Sequence, residues 1–319
     1  MKIVYNGEKD GAFKETLGNT IPRLSEADDR VIYLDADLMN CINTGKWAKE
    51  HPERGIDCGI SEANMVGIAA GLSAVGFKPI IHTFGPFASR RVYDQVFLSG
   101  AYAKNSITIL GTDPGVCAAY NGGTHMPFED MALYRAIPDA YVFDITDTAM
   151  LEDVLTQCVD IHGIKYIRVG RKNNVKMYEA GSKFEIGKGI VTKADGNDAT
   201  IIACGIMVGM AMKAAEMLAA EGIKVTVVDM FTVKPLDEAL VLAQAEKTGA
   251  IVTAENHNKI GGLFSAVADY LAVSRPTPIE YVAVEDEFGE VGPQDYLEKR
   301  FNLTPEHIVE KVKKAIARK

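Results

Sequence analysis

Apolar positions in this chain come in short runs separated by longer amphipathic stretches. Arg30–Asp35 is an apolar run that enters an acidic turn, and Lys78–Thr83, Ser106–Gly111, Tyr141–Asp144 and Tyr166–Val169 repeat the form. Between them, Ser61–Val75 sets Met65, Ile68, Ala69 and Leu72 on one helical face. Met150–Val159 does the same with Leu151, Val154, Leu155 and Cys158. Nearly continuous apolar runs alternating with helices predict βαβ units around a parallel sheet. A polar, glycine-bearing stretch from Arg171 to Gly189 places a domain boundary near residue 180. The alternation then restarts, with strands over Ala199–Cys204, Lys224–Asp229 and Ala250–Ala254 and helices over Met207–Glu221, Pro235–Lys247 and Gly262–Leu271. Thr304–Ala317 reads as a closing amphipathic helix, capped by Thr304 with Pro305 in its first turn. The expectation is an α/β protein of two doubly wound domains, residues 1–180 and 181–319.

Composition narrows the function more than the fold. The chain has 319 residues, 47% of them hydrophobic, with 34 Lys and Arg against 43 Asp and Glu, a net charge of −9. An acidic chain without a basic run argues against nucleic acid or an anionic membrane as partner. Five scattered cysteines (Cys41, Cys58, Cys117, Cys158, Cys204) form no CxxC pair, and the first residues lack the apolar run of a secretory signal. Reduced thiols and a cytoplasmic location are expected. The six histidines show no HxH or HExxH spacing, so no metal site is expected within the chain. GxSxG, a P-loop and a GxGxxG after a strand are likewise missing.

Four segments carry candidate chemistry. In Gly59–Leu72 (GISEANMVGIAAGL), a single carboxylate, Glu62, opens a helix of small and apolar residues. A helix dipole alone favours an acid there, but an apolar setting also suits a carboxylate that shares a proton. In His82–Gln95 (HTFGPFASRRVYDQ), Phe84 and Phe87 follow a strand and offer either core aromatics or a wall for a planar heterocycle. Arg90 and Arg91 come next, and one of them can pair with Asp94. Tyr120–Asp130 (YNGGTHMPFED) sets a glycine pair beside His125, a loop signal at a strand end, where α/β sites form. After the strand Tyr166–Val169, Arg171 suits an anionic substrate end or a surface pair.

In this order and spacing, the segments resemble the transketolase family, from about Tyr5 to the C-terminus. GISEANMVGIAAG is the most specific element, followed by TFGPF…RRVYDQ and GTHMPFEDMALYRAIP; FTVKPLD and ENHNKIGG fit in the second half. The resemblance implies that residues 1–180 form the pyrimidine-binding domain of a thiamine-diphosphate enzyme on a parallel sheet. Residues 181–319 would form the smaller C-terminal domain with a mixed sheet. It implies transfer of a two-carbon ketol unit from a ketose to an aldose. Glu62 matches the carboxylate that hydrogen-bonds N1′ of the cofactor's aminopyrimidine, which helps the cofactor become a carbon nucleophile. Phe84 and Phe87 match the aromatic pocket around the pyrimidine, Asp37 an acid near the cofactor at a subunit interface, and Arg91 joins this cofactor-binding set. His125 matches a catalytic histidine that faces substrate hydroxyls and the reacting carbonyl, and Arg171 an arginine that holds the substrate's phosphate.

The departures are as informative. The family binds its diphosphate through Mg²⁺ with a Gly-Asp-Gly followed by an Asn, and this chain has no Gly-Asp-Gly. The resemblance is therefore to the C-terminal half of a split transketolase. A partner chain would carry that motif and the Mg²⁺ ligands, in an α2β2 assembly. At the substrate end, Asn121 stands where the family has an Asp for a donor hydroxyl, and Asp113 where it often has a His. Cys41 stands near a phosphate-binding Ser, and no Arg opens the first helix around Asp10–Phe13. Arg171 and Lys172 remain as cations. A non-standard ketose or a differently placed anion is expected. Other readings are a deoxyxylulose-phosphate-synthase-like enzyme, a 2-oxoacid dehydrogenase E1 β-like subunit, or a non-catalytic subunit that kept the fold.

Overall fold

The computed structural model describes residues 1–171 and 174–319. Its first sheet has seven strands in the order β10-β5-β6-β4-β3-β1-β2. These are β1 (Val31–Asp35), β2 (Gly55–Asp57), β3 (Lys78–Phe84), β4 (Ile107–Thr112), β5 (Tyr141–Asp144), β6 (Ile164–Val169) and β10 (Thr232–Lys234). All neighbours pair in parallel except β10, which runs antiparallel to β5. The parallel strands are buried along nearly their whole length, as apolar runs covered on both faces must be.

The second sheet has the order β12-β11-β8-β9-β7. It comprises β7 (Ile190–Lys193), β8 (Ala199–Ala203), β9 (Val225–Asp229), β11 (Ile251–Asn258) and β12 (Ile279–Val284), with β7 antiparallel to β9. The fold is thus two α/β sheets, one mostly parallel and one mixed. The antiparallel strand of the first sheet is a difference from the expected all-parallel one. It comes from the second half of the chain, where Thr232–Lys234 reaches back to β5.

The helices follow the periodicity closely, including Thr148–Cys158, Met207–Ala220 and Leu263–Ser274. Thr304 caps Pro305–Ile316 by accepting from the His307 N–H. The helix expected over Pro235–Lys247 starts at Glu238 instead, because the Asp237 carboxylate accepts from the Leu240 N–H as its N-cap. The helix Phe13–Ala27 is not among those the pattern predicts. Pro22 interrupts its periodicity, and its Gly18 packs so close to Asn43 that a Cβ would lie 2.8 Å from the Asn43 Cβ. Among the described residues, no helix is long and apolar enough to cross a membrane.

A buried ionic network joins the two sheets. Arg168 on β6 donates to Asp130 (2.8 Å), Asp144 (2.8 Å) and the Asn256 carbonyl of β11 (2.8 Å), and is fully buried. Asn256 in turn accepts from the Val116 N–H (3.0 Å) and donates to the Pro114 carbonyl (2.9 Å). The second half of the chain thereby fixes a loop that leaves the first sheet at its carboxyl edge.

Candidate active site

Parallel strands deliver their following loops to one edge, and β1, β3, β4 and β6 end there at Asp35, Phe84, Thr112 and Val169. Phe84 ends β3, and Phe87 follows in the short turn of helix Gly85–Ala88, both half-buried, with ring centroids 6.4 Å apart. His125 arrives on the loop after β4 and stands edge-on to both rings, 6.0 Å from Phe84 and 5.1 Å from Phe87. Arg90 holds that loop through Glu129 (3.1 Å). Gly123 on the same loop lies against Gly289 of the second half, where a Cβ would come within 2.2 Å of the Gly289 carbonyl oxygen.

Glu62 opens the helix Glu62–Ala74 and is buried. Its carboxylate does more than answer the helix dipole. The Arg91 guanidinium donates to Oε1 at 2.6 Å and lies 3.9 Å over the Phe87 ring. Arg91 thus ties the carboxylate to the aromatic pair. Neither arginine pairs with Asp94, because Arg90 reaches Glu129 and Arg91 reaches Glu62. Beside Glu62 the surface is open and apolar. Ile60 is 74% exposed, and a Cβ at Gly59, Gly67 or Gly71 would meet nothing.

A cavity of about 280 Å³ adjoins this cluster across Phe84 and is lined by Lys14, Asn40, Cys41, Thr112, Asp113 and Arg171, among others. Asp113 is buried in left-handed backbone and pairs with Arg171 through both oxygens, Nε–Oδ1 at 3.0 Å and Nη2–Oδ2 at 2.5 Å. Burial pushes its carboxyl up to about 6, against the lowering pull of Arg171 and His82. His82 is itself buried between Asp35 (2.7 Å) and Thr112 (3.1 Å). Lys14 is a site residue that the sequence pattern does not single out. It reaches the cavity because the helix Phe13–Ala27 begins at its rim.

The predicted residues therefore fall into two adjoining groups and two separate positions. Glu62, Arg91, Phe87, Phe84 and His125 form the first, while Asp113 and Arg171 share the cavity. Asn121 is half-buried on the His125 loop, two residues after Ala119, which holds a positive φ of 48°. Asp37 is exposed after β1, where its backbone N–H donates to Asp57, and it lines a different depression with Lys49 and Asp57. Lys172 lies outside the described residues. Among those described, no group of three or more His, Cys, Asp or Glu could hold a metal ion.

The donor set fits one end of thiamine diphosphate. A buried carboxylate beside two half-buried aromatic rings suits an aminopyrimidine, and the adjoining open apolar face leaves room for the rest to be covered from outside.

Comparison with known proteins gives the family. The model of the transketolase pyrimidine-binding domain matches residues 10–176, and that of the transketolase C-terminal domain matches residues 187–308. The chain is 45% identical over 306 residues to a 6-deoxy-6-sulfo-D-fructose transketolase subunit, SqwH, of Clostridium sp. (strain MSTE9), covering 96% of this chain and 95% of that protein. It is 34% identical over 276 residues to human transketolase, covering 86% of this chain but only 44% of that longer protein. A solved split-gene transketolase, described as an inactive β4 tetramer, superposes with a TM-score of 0.88 at 39% identity, covering 97% of this chain and 99% of that one. Family models that together span most of the chain, and relatives matched along its length, lead to one conclusion: the chain belongs to the transketolase family.

Proposed function

We propose that this chain is the pyrimidine-binding half of a two-chain transketolase that transfers a ketol unit from a ketose with a terminal sulfonate to an aldose. The observation that carries the enzyme reading is the convergence of Glu62, Phe84, Phe87 and His125 at one sheet edge, since a scaffold has no need of a buried carboxylate there. Residues 1–180 serve as the pyrimidine-binding domain and 181–319 as the C-terminal domain. The chain lacks the Gly-Asp-Gly motif, so a partner chain supplies the diphosphate site and the Mg²⁺ ligands, in an α2β2 assembly. The split-gene relative described as an inactive β4 tetramer supports this dependence. Exposed Asp37 and the open face around Ile60 and Gly67 suit contact with that partner. Five free cysteines accord with a cytoplasmic enzyme.

Thiamine diphosphate supplies the carbon nucleophile when bound. With the cofactor bound, the Glu62 carboxylate would share a proton with the pyrimidine N1′, Phe84 and Phe87 would hold the ring, and Arg91 would keep the carboxylate beside them. His125, edge-on to both rings, donates to the oxygen of the reacting carbonyl and to the substrate's hydroxyls. Asn121 adds a neutral donor and acceptor for a hydroxyl. Arg171 draws the anionic end into the adjoining cavity. In the net reaction the ketose C2–C3 bond breaks, C3 becomes an aldehyde, and C1–C2 joins the acceptor's carbonyl carbon without net oxidation.

The terminal sulfonate rests on the Clostridium relative and on the cavity's carboxylate. The test is turnover by the assembled enzyme with 6-deoxy-6-sulfo-D-fructose and a panel of aldoses, read by mass spectrometry as the shortened sulfo-aldose. Full-speed turnover of xylulose and ribose phosphates, with none of the sulfo-ketose, would overturn the substrate assignment.

A further inference from the structure

We infer that Asp113 sets the charge selectivity of the cavity beside Phe84, so that it accepts a terminal monoanion such as a sulfonate and discriminates against a phosphate dianion. This rests on the transketolase reading above and deepens it.

Among the described residues, the charged side chains lining the cavity are Lys14, Arg171 and Asp113. Two cations and one carboxylate leave a net of one positive charge. Arg171 donates to Asp113 Oδ1 and lies within ion-pair distance of Oδ2, so part of its charge is offset before any ligand arrives. A group entering beside it also meets a carboxylate that is 3% exposed and screened little by water.

A sulfonate carries one charge spread over three oxygens at every working pH and leaves the cavity neutral. A phosphate monoester has its second pKa near 6 and is mostly a dianion above neutrality. It would leave a surplus negative charge facing Asp113 in a partly buried site. The neutral donors Asn40 and Thr112 serve either ligand and carry no preference between them.

The groups facing Asp113 set the pH dependence. Arg171 and Lys14 are the cations that line the cavity with it. Buried His82, held by Asp35 and Thr112, acts on Asp113 electrostatically and lowers its carboxyl. Cys41 also lines the cavity. As pH falls toward 6, the phosphate monoester takes up its proton and Asp113 begins to do so. Both changes favour the phosphate more than the sulfonate, so the preference narrows.

Ethanesulfonate and ethyl phosphate form a matched pair of probes. Their dissociation constants are measured by titration calorimetry on the assembled enzyme at pH 8 and pH 6. The expected result is at least tenfold tighter binding of ethanesulfonate at pH 8, with the ratio shrinking at pH 6. In Asp113→Asn, whose amide oxygen still accepts from Arg171, the pH 8 ratio should fall at least tenfold, chiefly through tighter ethyl phosphate. A wild-type preference for ethyl phosphate at pH 8, or an unchanged ratio in Asp113→Asn, overturns the inference. The wild-type pH series tests the inference even if the variant misfolds. If the enzyme performs no ketol transfer at all, the transketolase reading fails, while the binding ratios still judge Asp113.

Discussion

Replacing Glu62 with Gln should separate catalysis from stability. The Glu62 carboxylate is buried, but its partner Arg91 is 45% exposed at the side chain, and the contact is a single 2.6 Å hydrogen bond. In Glu62→Gln the amide oxygen still accepts from Arg91, and the guanidinium keeps its water and its place over Phe87. An ion pair with one half in solvent contributes about 0–1 kcal/mol. For a chain of this size that is a loss in Tm of no more than about 4 °C. A positioned proton-handling group contributes roughly 10²- to 10⁴-fold to rate, which is about 3–5 kcal/mol of barrier. The assay is kcat of the assembled enzyme at saturating thiamine diphosphate and Mg²⁺, with thermal melting of the same sample. The expected outcome is a kcat lower by about 10²-fold or more with a nearly unchanged melt. Retention of more than about a tenth of kcat would refute the proton-handling role. A fall in Tm above about 10 °C would instead make Glu62 a structural ion pair.

Two other outcomes follow from buried charged groups. Arg168→Met strands the Asp130 and Asp144 carboxylates in the interior and should cost about 3–5 kcal/mol in urea unfolding; a loss below about 1 kcal/mol would mean that this network does not join the sheets. Burial pushes Asp229 up to about 7, with Thr146 and Tyr178 donating to its Oδ2. The folded chain therefore keeps a proton that the unfolded chain releases near 4, so stability is fully present below that pH and is lost as pH rises toward 7. Glu255, also raised to about 7, acts in the same direction, and His257, lowered to about 4, opposes it as pH rises from about 4 to 6.5. Melting from pH 5 to 8 should fall less steeply in Asp229→Asn than in the parent, and parallel curves would show that Asp229 does not carry the loss.

The sheets are legible in the sequence because buried parallel strands must be apolar along their length, and β1, β3, β4, β6, β8 and β9 stand close to where the runs place them. Local pattern cannot place β10, because Thr232–Lys234 is short and its partner β5 is far away in sequence. The helix Phe13–Ala27 is hidden by Gly18 and Pro22, although Phe13, Leu17, Ile21 and Leu24 mark its buried face. Lys14 is hidden with it, and its place at the cavity rim is a tertiary fact. Glu62, Phe84, Phe87 and His125 are readable as a set, since each sits in a motif at a strand or helix end. Which arginine serves which acid is not readable, because the answer depends on how loops meet: Arg91 reaches Glu62 rather than its sequence neighbour Asp94. The Asp113–Arg171 pair spans two strand ends and is likewise invisible in the linear pattern.

Dependence on a partner chain is tested most directly by native mass spectrometry of the chain purified from its own cells with thiamine diphosphate and Mg²⁺ present. The expected result is a hetero-oligomer in which a second chain carrying Gly-Asp-Gly is present and the cofactor is bound. A chain that comes away alone, and that binds the cofactor and transfers ketol units without a partner, would contradict it.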